Sequence, residues 1–118
     1  MHVEIWHYPR CSKSRKTLEL LEARGLSLTI RKYHEDPPDV AALTRVLELL
    51  NMEPRQLMRR GEDAYTLLNL DDDTLSREDL IAAMCEHPSL IERPVVIAGE
   101  KAALGRPPEA VLALFEGQ

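Results

Sequence analysis

Apolar and polar positions recur with two different periods along the chain, and these periods divide it into strands and helices. Residues 2–7 form a short extended run in which Val3 and Ile5 share one face, which predicts a strand. Residues 12–24 are rich in strong helix formers and are followed by Gly25, which predicts a helix. Residues 26–31 alternate with period two and predict a second, half-buried strand.

The middle third carries helical patterns. We expect the first helix to open at Asp36-Pro37-Pro38, with the prolines in its first turn, where no backbone N–H is needed. Its apolar positions fall on one stripe: Val40, Leu43, Val46, Leu47 and Leu50. Further helical pieces are predicted from Glu53-Pro54 to Gly61, weakly over 64–70, and from the capping-box residues 76–79 to His87. The acidic run 71–73 is expected to be a solvated loop and not a metal site.

The last third changes character, and it completes the predicted fold. A β-branched run at 95–97 predicts a buried strand, residues 98–100 a tight turn, 101–104 a partner strand, and the apolar residues of 111–115 a final helix. The order β-α-β, helices, β-β-α predicts an α/β fold: a four-stranded mixed sheet with flanking helices. We expect one domain over residues 1–118, with an inserted helical subdomain at about 36–88.

Composition and charge exclude several classes of protein. The formal net charge of −5 argues against a general nucleic-acid surface. No apolar run approaches the ~20 residues that span a bilayer, and the N-terminus has no apolar signal core, so we expect a cytoplasmic protein. The two cysteines, Cys11 and Cys85, are too few for a disulfide scaffold and fit a reducing compartment.

The candidate chemistry lies at Cys11, between the first predicted strand and helix. Free N–H groups and the dipole at a helix start favour a thiolate and can hold an oxyanion. The surrounding cations act in the same direction: Arg10, Lys13, Arg15 and Lys16. An isolated cysteine is often a buried, inert residue, but these charged and hydroxylic neighbours are a poor setting for core packing. Ser14 stands where a C-x-x-C pair would have its second thiol, so an outside thiol or the distant Cys85, which we expect to be structural, would resolve an intermediate.

Several short motifs together resemble one known family. The run His7-x-Pro9-x-Cys11-x-x-Ser14-Arg15 is followed in order by Leu57-Met58-Arg59, His87-Pro88, Arg93-Pro94 and Arg106-Pro107. This pattern resembles the glutaredoxin-linked arsenate reductase (ArsC) family from the first strand to the last helix. The resemblance implies a thioredoxin-like fold with a helical insertion.

The resemblance also implies roles for individual residues. Cys11 matches the nucleophile, with His7 assisting its ionisation and Ser14 close by. Pro94 matches the cis-proline that lies beside the reactive cysteine in thioredoxin-like folds. Three arginines match those that hold the oxyanion, namely Arg59, for which Arg60 could substitute, Arg93 and Arg106. Guanidinium groups suit this task because their planar, paired donors fit tetrahedral oxyanions.

The activity implied by the resemblance is reduction of arsenate to arsenite. The Cys11 thiolate attacks As(V), glutathione attacks the adduct and arsenic is reduced, and glutaredoxin takes over the glutathione as arsenite departs. Glutathione is then a co-substrate, and neither a metal nor a bound prosthetic group is expected.

Two alternatives remain open from the sequence. The first is an ArsC-like thiol oxidoreductase that uses Cys11 on glutathione adducts without specificity for arsenate. The second is a non-enzymatic regulator that binds RNA polymerase, as the Spx proteins of the same fold do. Those typically carry a C-x-x-C switch, and Ser14 occupies its second position here. The chain also has Gly105 where the best-known ArsC enzymes carry a Cys before the third arginine.

Overall fold

A computed structural model describes residues 2–116 of the chain. These residues fall into two compact units: the first runs up to Asp36 and resumes at Arg93, and the second comprises Pro37–Glu92. The range of this second unit is close to the helical insertion predicted at about 36–88. That the whole chain is one domain stays a prediction.

The first unit is built on a four-stranded mixed sheet. Its strands are β1 (His2–His7), β2 (Ser27–Lys32), β3 (Val95–Ala98) and β4 (Lys101–Leu104), in the spatial order β2-β1-β3-β4. β1 runs parallel to β2, with His7 opposite Lys32, and antiparallel to β3, which forms a hairpin with β4. The predicted α/β class with a four-stranded mixed sheet is confirmed.

Helices cover the sheet and close the core of this unit. The helix α1 spans Ser12–Glu22, and residues Pro108–Phe115 form a 3₁₀ helix where the sequence predicts the last helix. The shared core consists of buried residues from the strands and both helices: Val3, Ile5, Leu21, Val96, Ala98, Val111, Leu114 and Phe115. Cys11 lies between β1 and α1, two elements that this core joins.

The second unit is helical. It contains α2 (Val40–Leu50), α3 (Pro54–Leu57), α4 (Asp63–Leu67), α5 (Arg77–Glu86) and a 3₁₀ helix at Pro88–Leu90. The capping box at the start of α5 is present, because the Ser76 and Asp79 side chains each bond the other's backbone N–H. No helix within residues 2–116 has the length and apolar character needed to cross a membrane.

Two expectations about α2 are wrong. Pro37 and Pro38 precede the helix and do not form its first turn, because Asp39 is the N-cap and its carboxylate accepts the Ala42 N–H at 2.8 Å. Val40 is 54% exposed and lies outside the apolar stripe, whose buried members are Leu43, Val46 and Leu47. A capping carboxylate that satisfies a free N–H sets the helix start more strongly than the fixed φ of a proline.

The acidic run lies in the segment between α4 and α5. The Asp72 carboxylate accepts the Thr74 backbone N–H at 2.8 Å and the Thr74 hydroxyl at 2.7 Å. Across residues 2–116 no three His, Cys, Asp or Glu side chains cluster as a metal site would require.

Candidate active site around Cys11

Cys11 caps the helix that follows it. Its backbone is extended at φ −93° and ψ 123°, as expected of an N-cap, and the Arg15 N–H bonds its carbonyl at 3.0 Å. The loop before it is closed by a bond of 3.0 Å from the Cys11 N–H to the Tyr8 carbonyl, and the Arg15 guanidinium donates to the Pro9 carbonyl at 2.8 Å. The thiol is partly exposed and therefore open to a substrate.

The environment of Cys11 lowers its pKa. Burial acts first and raises the pKa of the thiol, but the backbone N–H of Ser14, the guanidinium of Arg93 and the N–H of Lys13 together outweigh it. The positive charge of Arg93 lowers the pKa further. The N–H groups at the start of α1 and the Arg93 guanidinium thus favour the thiolate. The thiolate is the state of a cysteine that acts as a nucleophile.

Arg93 precedes β3 and Arg106 follows β4, so both lie at the open end of the hairpin, where a hydrogen bond joins them. Arg93 is 8% exposed, and its guanidinium carbon lies 4.7 Å from the centre of the Tyr8 ring. The Arg106 Nη1 donates to the Arg93 carbonyl at 3.2 Å. The hairpin therefore brings two guanidinium-bearing residues together, one of which acts on the Cys11 sulfur.

His7 is paired with Ser14. Its Nδ1 lies 2.7 Å from the Ser14 Oγ, which also accepts the Tyr8 backbone N–H at 3.0 Å. Burial, followed by the charges of Lys32 and Arg15, lowers the pKa of His7, so the imidazole is neutral at pH 7. A neutral ring fits a network in which the Ser14 hydroxyl donates to Nδ1. That His7 assists the ionisation of Cys11 stays a prediction; its direct partner is Ser14.

Gly105 allows a close approach between the hairpin and α1. The Gly105 N–H donates to the Pro94 carbonyl at 3.0 Å. A Cβ at this position would meet the Thr17 Oγ1 and would lie 2.7 Å from the Pro94 Cγ, well inside contact distance. The peptide bonds Arg93–Pro94 and Arg106–Pro107 are both cis. The departure at Gly105 noted in the sequence is therefore a position where a side chain has no room.

The chain was compared with known proteins. Residues 6–114 match the sequence profile of the ArsC family. The chain belongs to the ArsC family. It is 46% identical over 116 residues to a Haemophilus influenzae protein named arsenate reductase, covering 98% of this chain and 100% of that one. It is also 52% identical over 111 residues to the Escherichia coli protein YfgD, described as uncharacterised, covering 93% of both chains.

A solved structure gives the same fold. The structure titled arsenate reductase from Vibrio cholerae matches with a TM-score of 0.92 at 50% identity, covering 96% of this chain and 97% of that one. ArsC structures have a thioredoxin-like fold, so this part of the fold prediction is confirmed.

The remaining candidates of this ArsC-family chain lie in the second unit. Arg59 forms ion pairs with Glu62 and, at 3.6 Å, with Glu92, while its backbone N–H bonds the Leu90 carbonyl at 2.7 Å. Arg60 is exposed. That Arg59 holds an oxyanion stays a prediction.

Cys85 differs from Cys11 in the sign of its pKa shift. It lies on α5, where burial and the nearby charge of Asp39 raise the pKa of the thiol. A raised pKa keeps the thiol protonated at neutral pH and leaves it a poor nucleophile.

Aromatic and charged residues that the sequence patterns do not indicate lie beside the Cys11 loop. The Tyr8 ring stacks on His34 at 4.2 Å between ring centres, and Tyr33 contacts His34 edge-on at 4.6 Å. Tyr8, His34 and Lys32 line a cavity of 260 Å³. The predicted topology could have indicated these residues. Parallel strands end at the same edge of a sheet, so residues that follow β2 lie near residues that follow β1.

Proposed function

We propose that this chain is an arsenate reductase that uses Cys11 as its nucleophile. The observation that carries the proposal is the Cys11 sulfur at the start of α1, where N–H groups and the Arg93 guanidinium lower its pKa. The similarity to proteins named arsenate reductase, at 43% and 46% identity, supports arsenate as the substrate.

Arginines and the helix start provide the binding energy for the anion. Arsenate is a tetrahedral oxyanion carrying negative charge at pH 7, and guanidinium groups donate paired hydrogen bonds to such oxygens. In the proposal Arg93 and Arg106 contact the oxygens, the free N–H groups of α1 add to them, and Arg59 supplies a third guanidinium. These donors also stabilise the charge that develops as the thiolate attacks.

The proposed chemistry transfers two electrons to arsenic. The Cys11 thiolate forms an S–As bond, and one arsenate oxygen takes up protons and leaves as water. A glutathione thiol then attacks the Cys11 sulfur, the electron pair of the S–As bond passes to arsenic, and arsenite departs. A disulfide between Cys11 and glutathione remains. In sum, one arsenic is reduced from As(V) to As(III) while two sulfurs are oxidised to one disulfide.

Outside thiols complete the cycle. Position 14 holds a serine, so a C-x-x-C pair is absent from the Cys11 loop within the described residues. Glutaredoxin attacks the mixed disulfide, accepts the glutathione and restores the Cys11 thiolate. A reducing cytoplasm would supply both partners.

The proposal is tested by a coupled assay. NADPH consumption is followed with arsenate, glutathione, glutathione reductase and glutaredoxin, and we expect turnover that is lost in Cys11→Ser and reduced at least tenfold in Arg93→Ala or Arg106→Ala, because a lost hydrogen bond to a charged group costs about 1.5–3 kcal/mol. Lys101→Gln, at the exposed start of β4, serves as the control and keeps full activity.

One outcome would favour the second candidate. If several glutaredoxins give no arsenate turnover while the protein removes glutathione from a mixed-disulfide peptide through Cys11, the chain is a thiol oxidoreductase for glutathione adducts. The lowered pKa of Cys11 suits that reaction equally, so only the substrate separates the two functions.

A further inference from the structure

Buried polar side chains are few in this chain, and Thr17 is one of them. Among residues 2–116 the buried polar or charged side chains, tyrosine and tryptophan apart, are His7, Ser14, Thr17 and Arg93. His7 and Ser14 are hydrogen-bonded to each other, and Arg93 acts on the Cys11 sulfur. Thr17 has no part in the site described so far, although its relative exposure is 0%.

The hydroxyl of Thr17 is bonded to the first turn of α1. Its Oγ1 donates to the Lys13 carbonyl at 2.8 Å. The Lys13 carbonyl and the Ser14 N–H belong to one planar peptide unit and point in opposite directions. This N–H makes the largest of the contributions that lower the pKa of Cys11. One end of the peptide unit therefore accepts the Thr17 hydroxyl while the other end donates to the sulfur.

A hydrogen bond at the carbonyl end of a peptide unit changes its N–H end. Hydrogen bonds arranged in a chain polarise one another, and each is strengthened by roughly 10–30%. A hydroxyl that donates to the Lys13 carbonyl thus makes the Ser14 N–H a stronger donor to a thiolate. The same bond holds the peptide plane in the orientation in which this N–H faces the sulfur.

The β3–β4 hairpin confines the Thr17 side chain. A Cβ added at Gly105 would meet the Thr17 Oγ1 and would lie 2.7 Å from the Pro94 Cγ, so the hairpin approaches α1 closely at this point. Exposed side chains change rotamer within picoseconds to nanoseconds, whereas a packed and fully buried one keeps a single arrangement. The hydroxyl is therefore held on the Lys13 carbonyl by packing as well as by its own hydrogen bond.

The same local bond occurs on α2 without these features. There the Thr44 hydroxyl donates to the Val40 carbonyl at 2.7 Å, and Thr44 is partly exposed. Such a bond to the carbonyl four residues earlier satisfies a hydroxyl in any helix. Thr17 differs because it is fully buried and because the peptide unit that it bonds carries a donor to Cys11. Thr44 is therefore a matched control for Thr17.

We propose that Thr17 is a positioning residue for the reaction at Cys11, because its buried hydroxyl fixes and polarises the peptide unit between Lys13 and Ser14 that faces the sulfur. Thr17 does not touch the reacting atoms and acts through the first turn of α1. The inference deepens the proposed function and rests on the part of it that makes Cys11 the nucleophile. Reduction of arsenate and removal of glutathione both need the thiolate, so Thr17 serves either reaction.

The reactivity of the sulfur tests the proposal without arsenate. The rate of alkylation by iodoacetamide is measured against pH in a Cys85→Ala background, in which Cys11 is the remaining thiol. Thr17→Val removes the hydroxyl and keeps the branched shape. We expect its rate on the acidic side of the profile to fall about twofold, because the lost bond strengthens its neighbour by only a fraction. Thr17→Ser keeps the hydroxyl and should give the profile of the wild type.

The control isolates the place of the bond from its chemistry. Thr44→Val removes the same kind of bond from α2 and should leave the alkylation profile unchanged. Neither Thr17→Val nor Thr44→Val changes a charge, so the effect of Arg93 on the sulfur remains in both. Urea unfolding of each variant measures stability separately. If Thr17→Val does not fold, Thr17→Ala and Thr17→Ser provide the same comparison.

Three results would overturn the inference. The first is a wild-type profile in a folded Thr17→Val, whether or not its stability has fallen, since Thr17 would then be a structural residue. The second is an equal shift in Thr17→Val and Thr17→Ser, because the hydroxyl would not be its cause. The third is the same shift in Thr44→Val.

The two proposals fail separately. Alkylation profiles that differ as expected, without arsenate turnover, would refute the arsenate reductase and leave the role of Thr17 standing. Arsenate turnover that depends on Cys11, with a wild-type alkylation profile in Thr17→Val, would refute the positioning role and leave the reductase standing.

Discussion

At the scale of single residues, burial and polar contacts act on the Cys11 sulfur in opposite directions. Burial favours the neutral thiol, while two backbone N–H groups and Arg93 favour the thiolate and outweigh it. The backbone groups come with α1 and cannot be removed by substitution. Among the described residues, Arg93 is the side chain that lowers the pKa of the sulfur, so its effect can be tested by mutagenesis.

Removing Arg93 should raise the pKa of Cys11. Arg93→Ala deletes both a hydrogen bond to the thiolate and a positive charge, and each unit by which the pKa rises lowers the thiolate fraction at neutral pH up to tenfold. The rate of alkylation by iodoacetamide, measured against pH, should therefore shift to higher pH in Arg93→Ala and less in Arg93→Lys. Lys101→Gln should match the wild type. An unchanged profile in Arg93→Ala would show that the helix start alone activates the sulfur.

Substitution of Gly105 should destabilise the fold. In Gly105→Ala the new Cβ meets Thr17 and Pro94, both next to the candidate site, and forcing extra atoms into a packed region costs about 1–3 kcal/mol. Urea unfolding should show this loss. Gly61→Ala is the matched control, because a Cβ there has no atom within 4 Å among the described residues. Equal unfolding free energies for the two variants would contradict the close approach.

At the scale of elements, local signals predicted most of the structure. The β-branched run 95–97 and the alternating run 26–31 are strands, and the capping box at Ser76 begins α5. The start of α2 was predicted wrongly, because Asp36-Pro37-Pro38 and Asp39 both resemble helix starts and only the geometry shows which carboxylate accepts an N–H. The 3₁₀ helix at 108–115 could not be separated from an α-helix over eight residues.

A candidate residue could be named from the sequence where its immediate neighbours alone suggest its chemistry. Cys11 follows from a strand, a thiol and a helix in sequence, whereas Arg93 and Arg106 were named from the resemblance to the ArsC family. Tyr8, His34 and Lys32 require the register of β1 against β2, in which His7 lies opposite Lys32. Strand pairing joins segments that are distant in the sequence. The periodic pattern of one segment does not show which other segment pairs with it, so these residues could not be predicted.

The cap of α1 gives a prediction in which stability and activity separate. Serine is among the best N-cap residues and alanine among the poor ones. Replacing a serine cap by alanine lowers the free energy of unfolding by about 0.5–2 kcal/mol. Since Cys11 holds the N-cap with extended backbone, Cys11→Ser should unfold at a higher urea concentration than Cys11→Ala, while both are inactive. Equal midpoints would mean that position 11 does not act as a cap.

At the scale of the whole molecule, the sequence around Cys11 is rich in positive charge although the net charge of the chain is negative. The chain carries a net charge of −5, yet exposed cations lie close to Cys11 in the sequence: Arg10, Lys13, Arg15 and Lys16. A locally positive region attracts anions even on an acidic protein. This distribution favours binding of a small anion, such as the proposed arsenate, near Cys11.

The proposal assigns the third guanidinium to Arg59 and not to Arg60. Arg59 is held by Glu62 and Glu92, whereas Arg60 is exposed. Arg59→Ala should raise the KM for arsenate about tenfold, as loss of a charged hydrogen-bond donor does. Arg60→Ala is the matched control and should leave it unchanged. The opposite pattern would assign the role to Arg60; thermal unfolding of both variants separates binding from folding.

The residue proposed to do the chemistry also occupies the N-cap position of its own helix. When the Cys11 sulfur bonds to arsenic or to another sulfur, its negative charge disappears, and the amides of Lys13 and Ser14 no longer face an anion. In the proposed cycle the start of α1 therefore faces an anion in the resting protein and a neutral sulfur while the adduct lasts. The charge returns in that cycle only when glutaredoxin removes the glutathione, after arsenite has left.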